Sequence, residues 1–233
     1  MNQQEHAKTV KSHFEYTYQD YNRLIPKLVP GYFELKKSIL ESIKKLELER
    51  ANILDLGCGT AILGEEILTF SQNYVYYGID ISEHMVKEAR VRLSEFDERT
   101  TIFQEDFFNL HKLDLPKIDV VVSMLAIHHF KDKVPLYQAI QKIVSASEGV
   151  FILSDLVVDP RKNQEVCQFR KNHMRSEGMS GKEIDEWFQI FNDEDRPSTV
   201  QENLEYLTKV GFQPKVVWQN QSYATFVCKP KPN

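Results

Sequence analysis

The chain of 233 residues has only three cysteines, Cys58, Cys167 and Cys228, set far apart. An odd and scattered set supplies neither a disulfide framework nor a metal-ligand cluster of recognisable spacing, which suits a reducing compartment and implies no metal. Glycine and proline number nine each, too few for a collagenous, low-complexity or wholly disordered chain. No apolar run approaches the length that spans a bilayer, and the polar start, 1–10, lacks a cationic segment followed by an apolar one. A cytoplasmic protein with no membrane partner is expected. Lysine and arginine are outnumbered by aspartate and glutamate, 29 to 34, for a net charge of −5. That balance argues against broad attraction to a phosphate backbone, so nucleic acid is not the default partner.

What is present is a globular composition, with 42% hydrophobic residues in a chain long enough to bury a sizeable core. The centre alternates short β-rich runs with amphipathic stretches, the pattern of a parallel sheet covered on both faces. The spacing predicts strands at 51–56, 74–80, 101–104, 118–123 and 150–154, and helices at 62–70, 83–96 and 134–144. Ser82 is the expected N-cap of the second helix. After Asp155 the alternation stops, and 159–196 reads as a helical lid insertion carrying Trp187, Phe188, Ile190 and Phe191. A helix at 198–210 closed by Gly211 then leads to strands at 215–218 and 223–228, an antiparallel hairpin around the polar turn 219–222. Ahead of the sheet, 32–46 is helical in pattern, and Pro26, Pro30 and Gly31 break it from an aromatic-rich lead segment. The expected whole is a single domain over 1–233, with an N-terminal helical cover 1–50, a core 51–158, the insertion 159–196 and a terminal helix and hairpin 197–233.

The most informative stretch runs from Asn52 to Ala61, a buried strand that ends in Asp55 and enters a turn containing Gly57, Cys58 and Gly59 before a helix. Ligands of open α/β sheets bind at such carboxyl ends of strands. A dinucleotide fingerprint would place a third glycine three residues after Gly59, where Ile62 stands, and Asp55 precedes the turn where a pyrophosphate needs donors. A ligand with a cationic end and no pyrophosphate fits better, since Gly57 and Gly59 admit close backbone approach and Asp55 attracts an ammonium group. The second strand ends in Asp80, placed to accept both hydroxyls of a ribose. The third leads to Asp106 and Phe107, an acid that can receive an amino group of a base beside a ring that packs on it.

In that order the motifs Asp55-Leu56-Gly57-Cys58-Gly59-Thr60, Gly78-Ile79-Asp80-Ile81-Ser82 with Met85, Glu105-Asp106-Phe107 and the run 119–129 ending in His128 and His129 resemble the class I S-adenosylmethionine-dependent methyltransferases over about 50–155. The resemblance implies an α/β Rossmann-like methyltransferase sheet of five parallel strands with a C-terminal antiparallel hairpin, and S-adenosyl-L-methionine as cofactor. It assigns Gly57 and Gly59, with Cys58 between them, to the methionine end, Asp80 to the ribose, and Ile81 and Met85 to the flanks of adenine. Asp106 with Phe107 takes the adenine edge, and Ser123 or Met124 closes the methionine side. Ala61 departs from the glycine that many relatives carry there.

The lead segment, with Phe14, Tyr21, Arg23, Pro26 and the Val29-Pro30-Gly31-Tyr32 stretch, resembles a subgroup that includes small uncharacterised methyltransferases and the carboxy-S-adenosylmethionine tRNA wobble-uridine enzyme. In that subgroup the tyrosine corresponding to Tyr32 contacts the cofactor. The arginine that reads the extra carboxylate in the tRNA enzyme falls near Tyr206 when the chains are aligned on Gly211-Phe212, and no arginine stands there. Plain S-adenosylmethionine is therefore expected. His128 and His129 follow the fourth strand, at the rim where the acceptor meets the methyl. Adjacent histidines point differently, so one of them faces the site, and His128 is the candidate base. The expected activity is methyl transfer to an oxygen, nitrogen or carbon nucleophile of a small-molecule acceptor, with a homodimer left open. The alternatives are a tRNA-modifying methyl or carboxymethyl transferase, and a non-catalytic S-adenosylmethionine-binding regulatory protein.

Overall fold

A computed structural model describes residues 21–232, the side chains of 163 and 191–194 excepted. Phe14 lies outside the described residues, as does the side chain of Phe191. The chain runs α1 (Tyr21–Leu28), α2 (Tyr32–Lys44), β1 (Ala51–Leu56), α3 (Ile62–Phe70), β2 (Tyr74–Asp80), α4 (Glu83–Arg92), β3 (Thr100–Gln104), β4 (Val120–Met124), α5 (Val134–Ser145) and β5 (Val150–Leu156). It continues through α6 (Asn163–Ser176), α7 (Gly181–Glu194) and α8 (Val200–Lys209) to β6 (Phe212–Gln219) and β7 (Tyr223–Pro230). The strands form one sheet in the order β3-β2-β1-β4-β5-β7-β6. The first five are parallel, and β7 is antiparallel to both β5 and β6.

The continuous apolar character of the strands has a direct cause in the packing. Ile53, Val120, Val122 and Ile152 face Ile39, Ile43, Leu63, Ile67 and Val86, whereas Leu54, Leu56, Val121 and Phe151 face Leu136, Tyr137, Ile140 and Leu207. Helices cover both faces, so neighbouring residues along a strand are buried alike. The carboxyl ends of β1, β2 and β4 thereby come together at one edge, where Asp55 pairs in register with Gly78 and Val122.

Local chemistry explains where the elements end. Ser82 caps α4 by accepting the Met85 N–H at 3.3 Å. That helix stops at Arg92 rather than at 96, and a 3₁₀ segment Ser94–Arg99 follows. The segment delivers the Arg99 guanidinium to the carbonyls of Leu68, Ser71 and Tyr74, which lie around the C-terminal end of α3. Pro26 sits inside α1 rather than ending it, and the break falls instead at Gly31, whose φ is +79°. The terminal strands extend beyond their expected bounds, around a turn in which Asn220 Oδ1 accepts from the Ser222 and Tyr223 N–H groups at 2.8 Å each. Their register shifts between Val216 and Trp218. Thr199 and Glu202 form a reciprocal capping box at the start of α8. Thr199→Ala is expected to lower stability by about 1 kcal/mol, seen as a lower urea midpoint at constant slope.

The insertion is helical, as its pattern predicts, and it packs on the N-terminal helices. Met174, Ile184 and Phe188 join Ile25, Leu28, Val29, Tyr32 and Leu35 in a third apolar cluster. Arg170 turns inward, 3% exposed, and stacks at 4.6 Å over the Trp187 ring. No helix among the described residues is long and apolar enough to cross a membrane.

Candidate functional site

The turn after β1 is the first part of the site. Gly57 and Cys58 both donate their N–H to the Ile79 carbonyl, at 2.8 and 3.0 Å, which ties the turn to the end of β2. Gly57, Gly59 and Ala61 all have left-handed backbone, with φ of 75°, 53° and 57°. At Gly57 a methyl group would lie 2.4 Å from Ala126 Cβ and 3.2 Å from Phe107 Cζ, so glycine is required for a close approach as well as for its φ. Gly59 is different, for a methyl group there would meet no atom within 4 Å. Ala61 adopts its φ with a fully buried side chain, so the departure from glycine is accommodated by packing.

Asp80, at the end of β2, links the turn to the next helix. Its Oδ2 accepts from Gly59 N–H and its Oδ1 from Ser82 N–H, each at 2.9 Å. Burial pushes its carboxyl pKa up, against the opposing backbone hydrogen bonds. Asp55 is 2% exposed. Its Oδ2 accepts from Tyr76 O–H at 2.7 Å, while Oδ1 has no hydrogen-bond partner among the described residues. Burial pushes the Asp55 carboxyl up to about 7, with the Tyr76 hydrogen bond opposing and Asp80 adding to the rise.

That shift carries a stability prediction. A carboxyl whose folded pKa lies above its unfolded value binds more protons in the native state, so its contribution falls as pH rises from about 4 to about 7. The decline is on the order of 2–4 kcal/mol in the ligand-free protein. Asp55→Asn keeps an acceptor for Tyr76 and should flatten this part of the profile. Urea unfolding of both proteins from pH 4.5 to 8 checks it, and parallel profiles would contradict it.

A cleft of about 710 Å³, open to solvent, lies at these strand ends. Of the residues picked out in the sequence, Gly57, Gly59, Asp80, Ile81, Met85, Asp106, Phe107 and Met124 line it. Asp106 also caps the following 3₁₀ turn, accepting from Phe108 N–H at 3.0 Å. Four others assigned to the cofactor stand outside the lining. Asp55 and Cys58 are buried behind the turn, Ser123 Oγ donates to the Leu56 carbonyl at 2.8 Å, and Tyr32 lies in the cluster between the N-terminal helices and the insertion. Burial pushes the Tyr32 phenol up to about 12. Trp187 belongs to that same cluster and does not line the cleft.

The cleft also gathers residues not assigned from sequence. Tyr21 reaches it from α1, whose Asn22 side chain accepts from Thr60 Oγ at 2.6 Å and so anchors the helix to the glycine turn. Leu125, Ala126 and Phe130 form the opposite wall, with Leu125 in left-handed backbone at φ 57°. The imidazole on that wall is His129, and the candidate base His128 stands behind it, 7% exposed. His128 Nδ1 is 2.5 Å from Asp155 Oδ1, and the His128 N–H donates to Asp155 Oδ2 at 2.8 Å. Asp195, from the end of the insertion, lies 2.9 Å from His129 Nδ1. No spacing in the sequence links Asp195 to the histidines, because the whole insertion separates them. Burial pushes both imidazoles down. At His128 the carboxylates of Asp155 and Asp195 outweigh it, leaving that pKa raised, whereas His129 stays lowered by burial and by His128.

An adenosyl sulfonium fits this arrangement. The open space beside Gly59 leaves room for a ligand against the backbone, and Asp80 presents a carboxylate to the cleft.

A family model described as a methyltransferase domain matches residues 47–195. Carboxy-S-adenosyl-L-methionine synthases of Nautilia profundicola and Campylobacter fetus are each 25% identical, with 94% of this chain and 96% of the relative covered. Magnesium protoporphyrin IX methyltransferase from Synechocystis PCC 6803, solved with bound S-adenosylmethionine, superposes with a TM-score of 0.63 at 15% identity, covering 97% of both chains. Human N-acetylserotonin methyltransferase superposes at 0.60 and 18% identity, over 84% of this chain and 52% of that one. The match over 47–195 spans more than half of the chain, around the sheet and its strand-end cleft: the chain belongs to the methyltransferase domain family and is an S-adenosylmethionine-dependent methyltransferase.

Proposed function

We propose that the protein transfers a methyl group from S-adenosylmethionine to an oxygen, nitrogen or carbon nucleophile of a small molecule. The observation that carries this reading is the make-up of the cleft wall. Among the described residues no lysine or arginine lines it, and Met124, Leu125, Ala126 and Phe130 give it an apolar side around His129. Such a wall suits a small acceptor with apolar surface better than a polyanion. Asp80 holds the ribose, Asp106 and Phe107 hold the adenine edge, Ile81 and Met85 flank the ring, and Gly57, Cys58 and Gly59 border the methionine part with Met124 or Ser123. Asp55 acts through the glycine turn on the cationic end, and Tyr32 supports that wall from behind through α2. The cofactor supplies the activated methyl when bound. The chain supplies alignment of the acceptor, exclusion of water and the imidazole face of His129, with His128 set behind it by Asp155. The helical insertion acts as a lid, because its Asp195 holds His129 of this wall from behind.

A second reading is favoured by the names of the relatives that span the chain: the cofactor is itself the substrate and gains a carboxyl group. A carboxylated product needs a cation to hold it, and the cleft's described lining has none. At the aligned arginine position, Tyr206 packs on the core face of α8 instead. Incubation with methyl-labelled S-adenosylmethionine, small metabolites and bulk tRNA tests these readings. Label in a small molecule is the expected outcome. Label in tRNA, or a carboxylated nucleotide by mass spectrometry, would replace this assignment.

A further inference from the structure

We propose that His128 Nε2, His129 Nδ1 and Asp195 form a three-ligand site for a divalent transition-metal ion at the wall of the cleft. Asp195 Oδ1 lies 2.9 Å from His129 Nδ1 and 3.6 Å from His128 Nε2. Ligand atoms about 2.0–2.2 Å from a common ion stand roughly 2.8–3.6 Å apart at octahedral or tetrahedral angles, and the two distances sit near either end of that span. All three candidate atoms lie within 4.8 Å of one another. One carboxylate oxygen therefore already faces both imidazoles at near-ligand spacing.

The surroundings prepare this geometry. Asp155 Oδ1 engages His128 Nδ1 at 2.5 Å and its Oδ2 holds the backbone N–H of the same residue. A carboxylate on one ring nitrogen fixes the tautomer and frees the other nitrogen, here Nε2, to act as a ligand. Asp195 is held by its neighbour: Arg196 N–H donates to the His128 carbonyl at 2.8 Å, and the Arg196 carbonyl accepts from Lys133 Nζ at 2.7 Å. The same Lys133 ammonium donates to the Phe130 carbonyl, so the end of the insertion and the histidine loop are stitched on both sides. Two imidazoles and one carboxylate suit zinc, iron(II), cobalt(II) or manganese(II), and not the oxygen-only preference of calcium or magnesium.

Three protein ligands leave at least one coordination position open, and His129 joins the site to the cleft wall. Its role, which rests on the methyl-transfer reading, is to bind an acceptor oxygen or nitrogen and lower its pKa beside the methyl group. This makes the acceptor a hydroxyl or amine compound rather than a carbon nucleophile.

Cobalt(II) is the probe, titrated into the full-length chain after removal of metals by a chelator and followed by visible absorption. Binding of a single equivalent, displaced by zinc(II), is expected. Asp155→Asn should weaken cobalt binding about 10–100-fold, the range for an outer partner of a ligating histidine. His129→Ala and Asp195→Asn should weaken it more, with far-ultraviolet circular dichroism confirming that each is folded. Absence of cobalt binding to the wild-type chain, or equal binding by wild type and folded Asp195→Asn, overturns the proposal. S-adenosylmethionine affinity, measured in the metal-free chain, reports separately on the methyl-transfer reading: it should persist, and its loss would sink that reading without touching the ion site.

Discussion

Asp80→Ala is expected to weaken S-adenosylmethionine binding by about 1.5–3 kcal/mol, or roughly tenfold to more than a hundredfold. The side chain stands at the end of β2 and lines the cleft, and a carboxylate there can accept hydrogen bonds from both hydroxyls of a ribose. It also accepts from the N–H groups of Gly59 and Ser82. Alanine would leave both donors to water and loosen the turn, so part of the affinity loss would reflect disorder. Asp80→Asn reduces the second effect without removing it, since the amide keeps the shape of the side chain and an acceptor for one of the two N–H groups but sets its NH2 against the other. Calorimetry on Asp80→Asn should show most of the affinity loss with a smaller fall in unfolding midpoint than Asp80→Ala shows. Unchanged affinity in a folded Asp80→Asn protein would mean that the ribose is held elsewhere.

The second large effect contrasts the two glycines of the turn. Gly57→Ala introduces a methyl group 2.4 Å from Ala126 Cβ at a φ of +75°, with the cleft wall behind it. Left-handed backbone costs an alanine about 1–2 kcal/mol and overpacking a further 1–3, so a loss of roughly 2–5 kcal/mol in stability is expected. Gly59→Ala carries the backbone term alone, because its methyl group meets nothing within 4 Å. Its stability should fall by only about 1–2 kcal/mol. The methyl group would instead enter space that the cofactor needs, so Gly59→Ala should lose cofactor affinity out of proportion to its stability. Urea unfolding and calorimetry on both variants check the contrast, and equal stability losses would contradict it.

The same two glycines mark what could be read from the sequence. Gly57, Gly59, Asp80 and Asp106 were legible because each lies next to a strand end, where local spacing fixes position on the cleft edge, whereas Asp55 turned inward to Tyr76. Ser82 was legible as a cap for the same reason. The choice between His128 and His129 was not, because both occupy one short 3₁₀ turn and their directions are set by Asp155 and Asp195, which arrive from β5 and from the end of the insertion. Tyr32 and Trp187 look like pocket residues by type, yet they meet each other's helices in a shared apolar cluster that only the docking of α6 and α7 onto α1 and α2 creates. The break of α4 at Arg92 was likewise hidden, since it serves the carbonyls that Arg99 satisfies on a different element.

The central claim is that the strand-end cleft holds an adenosyl sulfonium with its ribose on Asp80. A crystal structure of the chain with S-adenosylhomocysteine tests it most directly. The expected result has the ribose hydroxyls within hydrogen-bond distance of the Asp80 carboxylate, adenine between Ile81, Met85 and Phe107, and the sulfur directed toward the wall that carries Met124 and His129. Nucleoside density outside this cleft, or a ribose held by another side chain while Asp80 contacts only Gly59 and Ser82, would contradict it.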